Sequence, residues 1–420
     1  MTNLNLSARV LGKFPARVAA GAGMLITKLN GIWTFAVDGG NLVPQGSVPD
    51  PANTYVLVQL PDGTTAKVPL SVALAVTQPV EFPGKKNFLF NGGMIVWQRG
   101  GSPTPGTAGT RTYGPDRWAI TSAGAALTTI ARNNHAAIPP RSGSMMVIVG
   151  NAGVTTVDVD QRVEAATPVA GTFTLNNPLV WAPQIAFSAY INNQTGSAFT
   201  PTLFVETPTV LDNWAASTIV NGGGAGEALQ SCPNGVWTRV TWLGDPAAYA
   251  NKGNGIGFRL RFPSGSLDSN GKSVWITDVM CEPRYAADGI FSQFEVMDFG
   301  TELIRCQRYY QKTFPYSVKP AQNAGASNAL YFTQVVGAAT VQGGNIWRLP
   351  TKLRTSPATG TLYNPAAVNA QARNETVLTD CTGTSINLIY EDTVIFACTT
   401  AAGSAAGNRM QIHITLDMEL

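Results

Sequence analysis

Along most of this chain apolar residues alternate with polar ones at a spacing of two, the period of a strand with one face in and one face out. Residues 154–164 (VTTVDVDQRVE) are the cleanest case. Val157, Val159 and Val163 share one face; Asp158, Asp160, Arg162 and Glu164 share the other. The stretches 184–191 (QIAFSAYI), 202–206 (TLFVE), 237–242 (WTRVTW), 255–262 (GIGFRLRF) and 274–282 (VWITDVMCE) are also strand-like, parted by Gly- and Asn-rich turns. Strands at this spacing predict a β-sandwich or jelly roll over 84–300. The β pattern resumes at 329–336, 344–349, 386–390, 394–398 and 410–416, predicting a second sandwich.

Between the two, 301–312 (TELIRCQRYYQK) alone has helical spacing, with Leu303, Cys306 and Tyr310 on one face and Thr301 placed to cap it. Ahead of both, 24–37 and 55–70 each read as a hairpin, around Asn30-Gly31 and Pro61-Asp62-Gly63. Two isolated hairpins are marginal in water, so 1–83 is expected to need a partner. The expected organisation is all-β: an N-terminal hairpin region over 1–83 for attachment or oligomerisation, a central jelly roll over 84–300, and a linking helix with a C-terminal β domain over 301–420.

Composition agrees. Only 13% of residues are charged, against about 25% in ordinary domains, while 43 glycines and 27 prolines supply turns. Low charge also suits surfaces covered by partner chains. The net charge of +3 is spread out, without the basic footprint of a nucleic-acid binder. No apolar run nears the ~20 residues of a membrane helix, so no membrane insertion is expected, and no secretory leader is read at the N-terminus. The five cysteines (Cys232, Cys281, Cys306, Cys381, Cys398) form no ligand cluster. Reduced core thiols are expected and no metal site; a Cys381–Cys398 bridge is left open.

Catalytic chemistry finds little support. The two histidines, His135 and His413, sit in no nucleophile motif, and His413 lies in an alternating strand. Asp158 and Asp160 on one face could serve glycoside hydrolysis or bind calcium; a solvated face balanced by Arg162 is the preferred reading. Residues 265–273 miss a P-loop, because Ser266 stands where glycine is needed and a strand follows. No cofactor is expected, with calcium left open. Aromatics remain, since Trp and Tyr pack cores and also stack on sugars. Trp97, Trp118, Trp237, Trp242 and Trp275 are assigned to the core; Trp181, Trp214, Tyr331, Trp347, Tyr363 and Tyr390 are the ligand candidates.

Three motifs carry a resemblance: NFLFNGGMIVWQRG (87–100), YGPDRW (113–118) and RCQRYYQ (305–311). Together they resemble tail-fibre and receptor-binding proteins of tailed bacteriophages, in which such motifs open a jelly roll similar to carbohydrate-binding modules and then lead into a C-terminal β domain. The resemblance implies a homotrimeric, non-enzymatic virion protein, assembled in the host cytoplasm. Its N-terminus would dock to other tail or baseplate proteins, and its β domains would meet a host polysaccharide or protein. Trp97, Gln98, Arg99, Asp116, Arg117 and Trp118 match the motifs and are expected to maintain the fold, Asp and Arg as a buried pair. Rivals are a head, collar or baseplate fibre without receptor contact, and a polysaccharide depolymerase.

Overall fold

The computed structural model describes residues 86–138, 141–165, 182, 184–284, 291–354 and 358–419, together with the backbone of four strands ahead of them. The chain forms two units, Met1–Pro83 and Gly84–Leu420. The first holds two antiparallel hairpins: β1 (Met24–Leu29) pairs β2 (Ile32–Val37), and β3 (Tyr55–Gln59) pairs β4 (Thr65–Pro69). Their turns, and the docking role expected of 1–83, lie outside the described residues.

The second unit is mostly β and begins with a sandwich. Its strands are β5 (Thr112–Tyr113), β6 (Ala119–Ala123), β7 (Thr129–Ile138), β8 (Arg141–Val149), β9 (Thr156–Val163), β10 (Gln184–Gln194), β11 (Thr202–Val210), β12 (Asn213–Ile219), β13 (Glu227–Ala228), β14 (Trp237–Gly244), β15 (Ile256–Phe262) and β16 (Ser273–Arg284). One sheet runs β14-β10-β16-β8-β7; the other runs β12-β11-β15-β9-β6-β5, with β13 on β11. The inward residues of both meet in one core, where Phe187 of one sheet stacks on Phe258 of the other at 5.9 Å. Each such fully buried side chain contributes roughly 1.5–3 kcal/mol.

The same alternation corrects one expectation. Val274 and Ile276 point inward, and so do Val240 and Trp242. Trp275 and Trp237 therefore fall on the outward face of their sheet, half-buried, 6.3 Å apart and outside the core.

Helix α1 (Phe299–Gln307) starts two residues before its expected start, because the Asp298 carboxylate, not Thr301, caps it by accepting from the Thr301 amide at 2.9 Å. It also ends early. Tyr310 belongs to the strand β17 (Tyr310–Lys312), so it does not share a helix face with Leu303 and Cys306.

The C-terminal strands are β18 (Leu330–Thr333), β19 (Val341–Arg348), β20 (Thr359–Tyr363), β21 (Arg373–Asn374), β22 (Thr379–Asp380), β23 (Thr382–Ile389), β24 (Thr393–Thr399) and β25 (Arg409–Asp417). β25 is the hub and pairs with β17, β18, β20 and β21; β19-β24-β23 form the facing sheet. Met410, Ile412, Ile414 and Leu416 of β25 point into the core between these sheets. Gln411, His413, Thr415 and Asp417 alternate onto its opposite face. That polar face positions the site described next.

Candidate functional site

The three sequence motifs, two close together and the third almost 190 residues further along the chain, meet in space beside β17 and β25. In the first, Asn91 adopts φ 52°, a left-handed conformation that asparagine tolerates. Its side chain accepts from the Ile95 and Val96 amides and donates to the carbonyls of Val96 and Asp116. Gly92 is obligatory here: a Cβ would lie 2.0 Å from the Val279 carbonyl oxygen. The indoles of Trp97 and Trp118 are buried and donate to the backbone of the same turn, to Met94 and to Phe90 and Asn91.

The expected Asp–Arg pair of the motifs is Asp116 with Arg99, not with its chain neighbour Arg117. Arg117 has φ 74°, and the two side chains have separate partners. Asp116 accepts from the Gln98 amide and side chain (3.0 and 2.5 Å) and lies 3.9 Å from Arg99. Burial pushes its carboxyl up to about 6, with Arg99 and Gln98 pulling it back. Arg117 pairs with Glu419, donates to the Arg162 carbonyl and lies 3.5 Å over the ring of Tyr309. Arg99 lies 3.8 Å over the ring of Tyr310 and 4.7 Å from that of Tyr113. The paired tyrosines of RCQRYYQ are thus the seats of the two motif arginines, each a cation–π contact in a largely desolvated setting.

Arg99 also borders an open cleft of about 440 Å³, lined by Tyr310, Thr359, Thr361, Tyr363, Thr415, Asp417 and Glu419 as well. Register explains the lining. Tyr310, Asp417 and Thr359 form one row across β17, β25 and β20, and Thr415 stands opposite Thr361 in the next. Tyr363 stands opposite His413, its hydroxyl 3.4 Å from that of Thr415 and its ring edge-on to Phe314. His413 itself is buried, stacked on Phe314 at 3.8 Å, with Nδ1 on the Thr313 hydroxyl and Nε2 on the Gly325 carbonyl. Burial lowers its pKa.

Charge in the cleft is closely paired. Arg99 donates to Asp417 at 2.9 Å and to Glu419 at 3.4 Å. Burial pulls its pKa down, and Asp417, Glu419 and Asp116 outweigh that and raise it. Glu419 is 4% exposed, whereas the Asp417 side chain is 40% exposed. One carboxylate therefore faces solvent, among three threonines and two tyrosine rings.

Of the five aromatic ligand candidates among the described residues, the structure brings only Tyr363 to this cleft. Trp347 is buried in the C-terminal core, and Trp214 lies beneath the Arg162 guanidinium, 9% exposed. Tyr331 and Tyr390 are about half exposed but line neither this cleft nor each other's surroundings in it. Trp181 lies outside the described residues. Sequence reasoning missed Tyr310, Thr359, Thr361, Thr415, Asp417 and Glu419; only the alternation of 410–416 hinted that Thr415 faces away from the core. Trp237, Trp275 and His135 form a second aromatic cluster on the outward face of the five-stranded sheet, His135 5.6 Å from Trp237.

The Asp158 and Asp160 face is occupied by arginines. Asp158 accepts from Arg259 and Arg261, and Asp160 from Arg111, the oxygens that calcium would need. Among the described residues no group of three or more His, Cys, Asp or Glu side chains is placed to hold a metal. All five cysteines are free and buried. Among the described residues no helix is long and apolar enough to cross a membrane.

No known family profile and no curated protein matches this sequence. Solved structures with partial overlap include the enzymatically active domain of tailspike protein 4 of bacteriophage CBA120, at 12% identity and TM-score 0.27 over 40% of this chain. This chain spans about a fifth of that one, 20% of its length. A CBM4 structure overlaps 46% of this chain and 98% of its own at 11% identity and TM-score 0.27. A CBM22-1 xylan-binding domain from Paenibacillus barcinonensis overlaps 43% and 99% at 13% identity and TM-score 0.23. These overlaps are loose, and the sandwich assignment rests on the strand register.

Proposed function

We propose that this chain is a non-enzymatic binding protein that takes a carbohydrate in the cleft over β25. The observation that carries the reading is the lining: an open cleft of about 440 Å³ with Tyr363 and Tyr310, the hydroxyls of Thr359, Thr361 and Thr415, and the solvent-facing carboxylate of Asp417. A sugar offers apolar C–H faces to aromatic rings and hydroxyls to a few placed polar groups; here the half-buried Tyr363 ring, the exposed Thr359 and Thr361 and the Asp417 carboxylate supply both, over a floor of buried Tyr310 and Thr415. Hydrolysis of a glycosidic bond needs two carboxyl groups flanking it. Here the second, Glu419, is buried and held by Arg117 and Arg99, which favours binding over cleavage.

The motif resemblance extends the proposal to the setting: a tail fibre of a tailed phage, docked by residues 1–83 and meeting host glycan through its β domains. Low surface charge and dependent hairpins support several copies per assembly, and three weak sites would act together through avidity. The test is a glycan array probed with the labelled protein, followed by titration with Tyr363→Ala. Retention of defined glycans, lost in the variant without a change in melting temperature, is expected. Retention of none at millimolar concentration would leave a structural fibre as the better reading; release of reducing ends would favour the depolymerase.

A further inference from the structure

Resting on the glycan reading, we infer that the cleft over β25 takes neutral or amine-bearing sugars and turns away sugars that carry a carboxylate or phosphate. Among the described residues that line the cleft Arg99 is the one cation, and it is committed. The Arg99 guanidinium lies 3.8 Å over the Tyr310 ring and 4.7 Å over the Tyr113 ring. Its edges turn to Asp417 at 2.9 Å, Glu419 at 3.4 Å and Asp116 at 3.9 Å, and its side chain is 13% exposed. Two further cations lie near: Arg117 is 2% exposed and bound to Glu419, and Lys312, opposite Thr415 on β17, is half-buried with its ammonium donating to the carbonyls of Tyr316 and Val318. Among the described residues an entering anion would therefore meet no cation that is not already held by partners of its own.

Asp417 is arranged in the opposite sense. One of its oxygens accepts from Arg99 and the other from the Glu419 amide at 3.0 Å, and each retains a second lone pair. With 40% of the side chain exposed, those lone pairs point to incoming donors. Vicinal hydroxyls or an ammonium group satisfy them; a ligand carboxylate meets like charge at contact distance. Thr359 and Thr361, exposed and one pleat repeat apart on the same face of β20, can donate or accept and so add affinity without adding charge preference.

The experiment is a matched panel: methyl glucoside, glucosaminide and glucuronide, with the corresponding galacto series, bound to the full chain at pH 7 and read by saturation-transfer NMR titration. The neutral and amino members of at least one series are expected to bind, with the uronide weaker by roughly tenfold or more. Asp417→Asn should bring the uronide to within about threefold of the neutral sugar and weaken the amino sugar. Thr361→Val should weaken all three members alike, which separates a charge filter from general loss of the site. A uronide that binds as tightly as its neutral partner, or a gap unchanged in Asp417→Asn of unaltered melting temperature, overturns the charge filter alone. Binding by no member of either series overturns the glycan reading and the filter with it.

Discussion

Replacing Glu419 by Ala removes the carboxylate that neutralises Arg117 and leaves the guanidinium buried. Arg117 is 2% exposed and Glu419 4%, so solvent cannot take the place of the lost partner. Breaking one side of such a buried pair costs about 3–5 kcal/mol, most of it the penalty of an uncompensated charge. Arg117 keeps its contact with Tyr309 and its bond to the Arg162 carbonyl, which places the expected loss toward the lower figure. At roughly 2 °C or less per kcal/mol for a unit of this size, the melting temperature should fall by about 4–8 °C, read by differential scanning calorimetry at pH 7. Glu419→Gln, which keeps an acceptor but not the charge, should fall by less. The double variant Arg117→Met with Glu419→Leu should recover much of the loss, because two apolar residues leave no buried charge. A Glu419→Ala protein that melts within 1 °C of the parent, or a double variant less stable than Glu419→Ala, would refute the assignment of Arg117 and Glu419 as a mutually dependent pair.

Other outcomes follow from the same structure. Asp116, pushed up to about 6 by burial, keeps its proton in the native state between about pH 4 and 6, where the unfolded chain has released it. Stability should therefore fall by ~3 kcal/mol as pH rises through that window, and Asp116→Asn should remove this slope in denaturation series across pH 4–7. His413 is shifted the other way, lowered by burial, so its contribution is full above the unfolded value near 6.5 and is lost as pH falls below it. By NMR its ring protons should titrate with a midpoint below 6.5, and a midpoint at or above 6.5 would contradict the buried geometry. All five thiols should resist a thiol-reactive dye in the native protein and react once it is unfolded, since all five are buried; rapid native labelling would contradict their placement.

The β architecture was legible because each strand buries one face, which writes a period of two into the sequence. Residues 157, 159 and 163 entered the core as their spacing required. The same period, applied strictly, would have placed Trp237 and Trp275 outside; counting tryptophans as core residues hid that. Helix α1 was legible in its spacing but not in its start, because Asp298 supplies the cap from a position outside the periodic stretch. Pairing was less legible than burial. The motifs implied a buried Asp–Arg pair without saying which arginine; Asp116 meets Arg99, while Arg117 meets Glu419 from the far end of the chain, because only the fold decides which buried charges meet. The cleft was nearly invisible: its residues come from three strands whose register joins positions 310, 359–363 and 413–417, and threonines in alternating strands carry no mark of a ligand. Tyr363 was reached only by listing aromatics.

The account turns on where a sugar sits. A crystal structure of the protein soaked with the best neutral glycan from the array answers this directly. The account predicts a pyranose ring against Tyr363, with hydroxyls in hydrogen-bonding reach of the Asp417 carboxylate and of Thr361 or Thr415. Density for the glycan on the Trp237–Trp275 face, with the cleft over β25 empty, would contradict it.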